Sequence, residues 1–202
     1  MVNYLKYLLA LITLVLLSGC TGGVTKPSSF YSLSATEAIQ SENIVRSGGI
    51  GLRLGPFTFP EYLSRPNIIT RTTDNKIVID EFQRWAGSLE DDFHRIVGTN
   101  IGALLESWNI SVYPANSRMT ARYKVVGEIN TFDGYLGKEI ILDIRWFVLG
   151  PAGRKTYSSK QSVIVEPVMG EDYAALVLAQ SKAVGKLSRE IADELKHLDK
   201  VK

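Results

Sequence analysis

The chain has 202 residues, with 23 Lys and Arg against 21 Asp and Glu, a formal net charge of +2 and 45% hydrophobic residues. The basic residues are scattered, which leaves no footprint for nucleic acid or another polyanion, and a single cysteine excludes any disulfide within the chain. About 180 residues remain after the leader described next, enough for one domain with a real core.

Lys6 is followed by an uncharged apolar run from Tyr7 to Leu17 and then by Ser18-Gly19-Cys20. A basic start, a short apolar stretch and small residues before a cut form a secretory signal, and the run is too short to span a bilayer. Residues 1–19 are therefore expected to be removed. Leu17-Ser18-Gly19-Cys20 resembles the bacterial lipobox, which implies that Cys20 carries S-diacylglyceryl and N-acyl groups and becomes the first residue of the mature protein. The alternative is an ordinary cleaved signal with a chance cysteine, against which stands the rarity of an unpaired cysteine in an exported chain. Residues 20–29, with Gly22, Gly23 and Pro27, read as the lipidated N-terminus and a tether that holds a domain spanning 30–202 within roughly 20 Å of the membrane.

Phe30-Tyr31-Ser32-Leu33 predicts a short strand, followed by a polar stretch to Gly48-Gly49 that is either loop or weak helix. Ile50 to Leu54 predicts a second strand, stopped at Gly55-Pro56 because proline lacks the amide that a sheet interior uses. The aromatic, proline-bracketed segment from Phe57 to Pro66 comes next, and Ile68-Ile69-Thr70-Arg71 and Ile77-Val78-Ile79 then flank a hairpin turn at Asp74-Asn75. Ser88-Leu89-Glu90-Asp91 has the form of a capping box, opening a helix whose apolar stripe is Leu89, Phe93, Ile96, Val97, Ile101, Leu104 and Leu105. A strand from Trp108 to Tyr113 ends at Pro114. Between Ala121 and Val165 three alternating runs predict an antiparallel meander. A last amphipathic helix, from about Glu171 to Leu198, carries Tyr173, Leu176, Val177, Val184, Leu187, Ile191 and Leu198 on one side. The expected fold is α+β, a mostly antiparallel sheet (meander) with two main amphipathic helices packed on one face.

Catalytic constellations are scarce, so no enzyme and no cofactor beyond the covalent lipid on Cys20 is expected. His94 has only Asp91 and Glu90 near it on its helix, which reads as a solvated first turn complementing the dipole rather than a metal site. His197, near a helix end, reads as a favourable C-terminal charge. There is no Gly-x-Ser-x-Gly elbow and no phosphate-binding glycine loop. Phe57, Phe59, Tyr62 and Leu63 have two readings: they tuck under the sheet, or Pro60, Tyr62, Leu63 and Arg65 stand on a rigid loop that meets a partner.

Together with the lipobox and Phe30-Tyr31-Ser32-Leu33, two further runs carry a resemblance: Pro60-Glu61-Tyr62-Leu63-Ser64-Arg65-Pro66-Asn67-Ile68-Ile69-Thr70-Arg71 and Arg84-Trp85-Ala86-Gly87-Ser88-Leu89. With these the chain resembles the ABC-type transport auxiliary lipoproteins of the PqiC kind. The resemblance implies a non-enzymatic part in lipid traffic between two membranes, supporting envelope integrity. Its partners would be an MCE-domain protein (PqiB-like) that bridges the periplasm and, through it, an inner-membrane protein (PqiA-like). Thr21 lacks the aspartate that tends to retain such proteins in the inner membrane, so an outer-membrane, periplasm-facing location is implied, against the inner leaflet. A homo-oligomeric ring would match the ring shape of MCE assemblies. The alternatives are a lipid-binding shuttle with a cavity of several hundred cubic ångströms, and an envelope-stress lipoprotein.

Overall fold

The computed structural model describes residues 4, 26–37, 51–106, 109–114 and 121–201. The signal segment beyond Tyr4, Cys20, Thr21 and most of the polar stretch before Gly51 therefore lie outside the described residues.

Two sheets and two helices build the molecule. A three-stranded sheet has the order β1 (Ser29–Tyr31), β4 (Lys76–Trp85), β3 (Asn67–Thr73). A five-stranded sheet has the order β5 (Ile110–Val112), β2 (Leu52–Thr58), β6 (Tyr123–Tyr135), β7 (Glu139–Leu149), β8 (Thr156–Pro167). The α+β class and the β6–β7–β8 meander agree with the sequence reading. Antiparallel pairing predominates as expected, but the strands divide between two sheets. Both sheets are mixed, because β1 runs parallel to β4, and β2 runs parallel to both β5 and β6. Periodicity reports which face of a strand is buried and is blind to which neighbour it pairs with.

The second strand does not stop at proline. β2 continues through a cis Gly55-Pro56 bond to Thr58, with a register irregularity against β6 between Leu54 and Phe57. A bulge absorbs the residue that cannot donate. Gly55 has a φ of +88°, and a Cβ there would lie 2.7 Å from Tyr113 Cβ and 2.9 Å from the His94 ring, so both the conformation and the space call for glycine.

Helix α1 (Leu89–Leu105) starts as expected, with Ser88 Oγ accepting from the Asp91 amide at 3.3 Å. It packs against β2, β5 and α2 (Tyr173–Lys200), which is capped by Asp172. These two helices cover one side of the large sheet. Between them and the sheet, Trp146, Tyr123, Phe57, Phe93 and Phe132 are fully buried. Phe93 is the hub, meeting Phe57, Phe59 and Phe132 edge-on at centroid distances of 5.3–5.7 Å. Such pairs add about 0.5–1.5 kcal/mol each beyond their buried area.

His94 is a second correction. It is 1% exposed, not solvated. Its Nε2 lies 2.9 Å from the Phe57 amide, which can only donate, so the ring proton sits on Nδ1 and is given to the Glu90 carbonyl at 2.7 Å. Because α1 is wedged between β2 and α2, its buried face is wider than the stripe of apolar residues, and a polar side chain fills the margin where the bulged strand leaves an amide to satisfy. The chain before β2 is likewise held by polar side chains of the helices, of which Asn100 and Ser181 are buried and Asp92 partly buried. Leu33 N–H donates to Asp92 Oδ2 at 2.6 Å, Ser34 N–H to Ser181 Oγ at 3.1 Å, and the amides of Thr36 and Glu37 to Asn100 Oδ1.

Candidate functional site

The segment between β2 and β3 folds into a single 3-10 turn, Glu61–Leu63. Pro60 precedes it with an extended backbone, its carbonyl accepting from the Leu63 amide at 2.9 Å, and the Ser64 amide closes on Glu61 at 3.0 Å. Leu63 is driven into the core, 4% exposed, and pins the turn. Tyr62 is half-buried and points to β6, where its hydroxyl donates to Asp133 Oδ2 at 2.7 Å.

Asp133 is 1% exposed and receives a second partner. Arg71 on β3 donates through Nε to Oδ1 at 2.5 Å and through Nη2 to Oδ2 at 3.0 Å, a two-pronged pair that ties the small sheet to the large one. Burial first, then the hydrogen bond and charge of Asp133, push the Tyr62 phenol up to about 12. The hydrogen bond to Asp133 likewise holds the Arg71 guanidinium above its ordinary value. The triad is an architectural lock, with every polar atom committed to its neighbours.

On the other side of the turn lies a cleft of about 290 Å³, lined by Phe59, Leu63, Ser64, Arg65 and Pro66 from one segment and Gly87, Ser88, Leu89 and Glu90 from another. The β3–β4 hairpin brings the two together: its open end places Trp85 beside Pro66, with the Trp85 amide donating to the Pro66 carbonyl at 2.7 Å. The cleft has a floor of buried Leu63 and Leu89 and a rim that includes exposed Arg65 and Ser88. Its lining combines that apolar floor with the guanidinium of Arg65 and the carboxylate of Glu90, an arrangement that suits gripping an apolar side chain flanked by polar groups. Its volume lies at the lower limit of small-molecule pockets.

Of the residues expected to meet a partner, Leu63 and Arg65 reach this cleft and only Arg65 is exposed. Pro60 shapes the turn and Tyr62 belongs to the Asp133 lock. The sequence reading missed Gly87, Ser88 and Glu90 as neighbours of Arg65, although the hairpin it recognised between the two runs was the signal. Cys20 and Thr21 lie outside the described residues. Among the described residues no group of three or more His, Cys, Asp or Glu is placed to hold a metal, and no helix is long and apolar enough to cross a membrane.

Comparison with known proteins adds three findings. Residues 31–192 match the model of a protein family described as the ABC-type transport auxiliary lipoprotein component. The intermembrane transport lipoprotein PqiC of Escherichia coli K12 is 24% identical over 196 residues, covering 96% of this chain and all of that one, and the PqiC of Shigella flexneri matches equally. Two solved structures share the fold: an uncharacterized protein (TM-score 0.68, 17% identity, 84% of this chain and 99% of that one) and a protein of Xanthomonas campestris (TM-score 0.62, 16% identity, 82% and 93%).

Proposed function

The chain belongs to the family of ABC-type transport auxiliary lipoprotein components, and from that premise we propose that it is the outer-membrane-anchored member of a PqiABC-like intermembrane lipid transport system. That family is one of transport auxiliary lipoproteins, not of enzymes. The observation that carries the reading is the end-to-end match to the E. coli intermembrane transport lipoprotein, which leaves too few residues unmatched to exclude Cys20. In this reading lipid on Cys20 fixes the protein to the inner leaflet, with Thr21 permitting transfer to the outer membrane. The folded body then holds the distal end of a periplasm-spanning MCE-domain protein, and through it an inner-membrane partner.

Attachment does much of the work. A short tether confines the domain to a thin layer above the bilayer, so a modest intrinsic affinity for the MCE protein suffices at the high local concentration that results. A ring of copies would match a ring-shaped partner. The cleft between Arg65 and Gly87 is the proposed docking point, because it gathers both sequence runs that carry the family resemblance.

Cell fractionation of the native protein and of Cys20→Ala tests the reading. The native protein is expected in the outer membrane and to co-purify with the MCE-domain protein, while the variant is released or retained elsewhere and fails to restore envelope integrity. Native protein in the inner membrane, or full function from the unlipidated variant, overturns it.

A further inference from the structure

The β3–β4 hairpin orients the molecule. Its closed end is the Asp74-Asn75 turn, and its open end, where Trp85 meets Pro66, carries the cleft. β1 runs parallel to β4, with Ser29 opposite Gln83 and Tyr31 opposite Trp85. The chain therefore arrives from the direction of the closed end and travels toward the cleft. Gln83 lies seven residues beyond Lys76, so at about 3.3 Å per residue the hairpin extends roughly 23 Å past Ser29 on the side from which the chain comes. Cys20 stands nine residues before Ser29, a span of at most about 32 Å when fully extended. Measured along β4, an anchor on Cys20 can lie only about 9 Å beyond the hairpin tip even with the chain pulled straight.

The side chains at this end fit a lipid surface. Tyr135 donates to Asp74 Oδ1 at 2.6 Å and brings the β6–β7 turn against the hairpin tip. The Val168 amide donates to the Lys138 carbonyl at 3.0 Å and adds the loop that carries Met169. Met169 is 80% exposed, and Ile77 on the hairpin is 37% exposed. Lys138 is exposed but pairs with Glu139 at 3.1 Å and lies over the Tyr135 ring, and the Glu171 carboxylate lies against the same turn at Gly137. The cation offered to lipid phosphate is therefore exposed Lys76, next to Ile77, whose stem can lie along apolar surface while its ammonium group reaches the headgroups. A flexible thioether with almost no protein contact is poorly placed in water and well placed among acyl chains.

We propose that the end formed by the hairpin tip, the β6–β7 turn and Met169 rests on the bilayer. Its partner is the headgroup and upper acyl layer of the same leaflet that holds the Cys20 lipid, so the cleft at the opposite end of the hairpin faces away from the membrane. The proposal rests on the lipid-anchor reading above.

The test uses full-length lipidated protein in vesicles of phosphatidylethanolamine and phosphatidylglycerol. Lipid consumes the only native thiol, so Asn75→Cys, Met169→Cys and Gly87→Cys each present one site for an environment-sensitive fluorophore. The labels at 75 and 169 are expected to shift to the blue and to lose most of their emission to spin-labelled lipid, while the label at 87 is unaffected. Protein that floats with the vesicles but whose labels at 75 and 169 behave like the label at 87 overturns the orientation and leaves the anchor intact. Protein with the mass of unmodified Cys20 that does not float overturns the anchor reading, and the orientation with it.

Discussion

His94 on α1 accepts the backbone amide of Phe57 at 2.9 Å, immediately after the bulge that carries β2 past Pro56. Nδ1 is tied to Glu90 at 2.7 Å, and the ring packs against Phe57 and Tyr113 with centroids 5.5 Å away in each case. One side chain thus closes the hydrogen-bond account of an irregular strand from the helix above it.

Replacing His94 by Ala leaves the Phe57 amide buried without an acceptor and opens a hole between β2 and α1. The two penalties together are about 2–4 kcal/mol. Urea unfolding should show that loss as a lower midpoint with an unchanged slope, and His94→Gln, which retains an acceptor, should recover part of it. An alanine variant as stable as the native protein would mean that the amide finds another partner.

Tyr62 supports a prediction with a definite pH window. Its phenol is raised from 10 to about 12, chiefly by burial and then by Asp133. A folded-state value above the unfolded one means that the stabilisation is complete below pH 10 and is lost as pH rises through 12. Tyr62→Phe should therefore cost about 1.5 kcal/mol at neutral pH, the low end for a bond to a charged acceptor because the residue is half-exposed. The difference in melting temperature between native and variant should stay constant to pH 10 and close between pH 10 and 12. A difference that stays open at pH 12 would show that burial and Asp133 do not hold the phenol in its neutral form.

Gly98 sets two effects against each other. Alanine in a helix interior gains about 1 kcal/mol over glycine, but a Cβ at Gly98 would fall 2.6 Å from Val112 Cγ2 on β5. Overpacking of that kind costs about 1–3 kcal/mol, and a β-branched neighbour has little room to turn away. Gly98→Ala should be net destabilising alone and stabilising in a Val112→Ala background. The sign change in a double-mutant cycle read by thermal melting is the check, and a stabilising single variant would show that β5 shifts freely.

The helices and the meander were legible because their faces repeat at 3.6 and 2.0 residues, and every residue of the predicted α2 stripe is buried or partly buried. Pairing was not legible: nothing in Leu52–Leu54 says that β6, seventy residues later, lies beside it in parallel. Gly55-Pro56 misled because proline usually marks an end, whereas a bulge and His94 let the strand continue. Tyr62 had two readings in the sequence, and only Asp133, distant along the chain, decides between them. Half of the cleft was present in the Pro60–Pro66 run; the other half needed the hairpin to be followed to its open end.

Gly87 sits at that open end, and a Cβ there would have no heavy atom within 4 Å. Substitutions at exposed positions without contacts usually change stability by less than about 0.5 kcal/mol, so Gly87→Trp should leave the unfolding midpoint unchanged while an indole occupies or overhangs the cleft. Arg65→Glu reverses the rim charge with equally little structural consequence, because Arg65 is exposed. If the cleft grips the MCE-domain protein, both variants should reach the membrane in normal amounts yet lose co-purification of that protein and fail to restore detergent resistance to cells lacking the native chain. Leaving the lock on the other side of the turn intact makes Tyr62→Phe the matched control, expected to retain partner binding at neutral pH despite its lower stability. Full function from both cleft variants would move the docking surface elsewhere on the body.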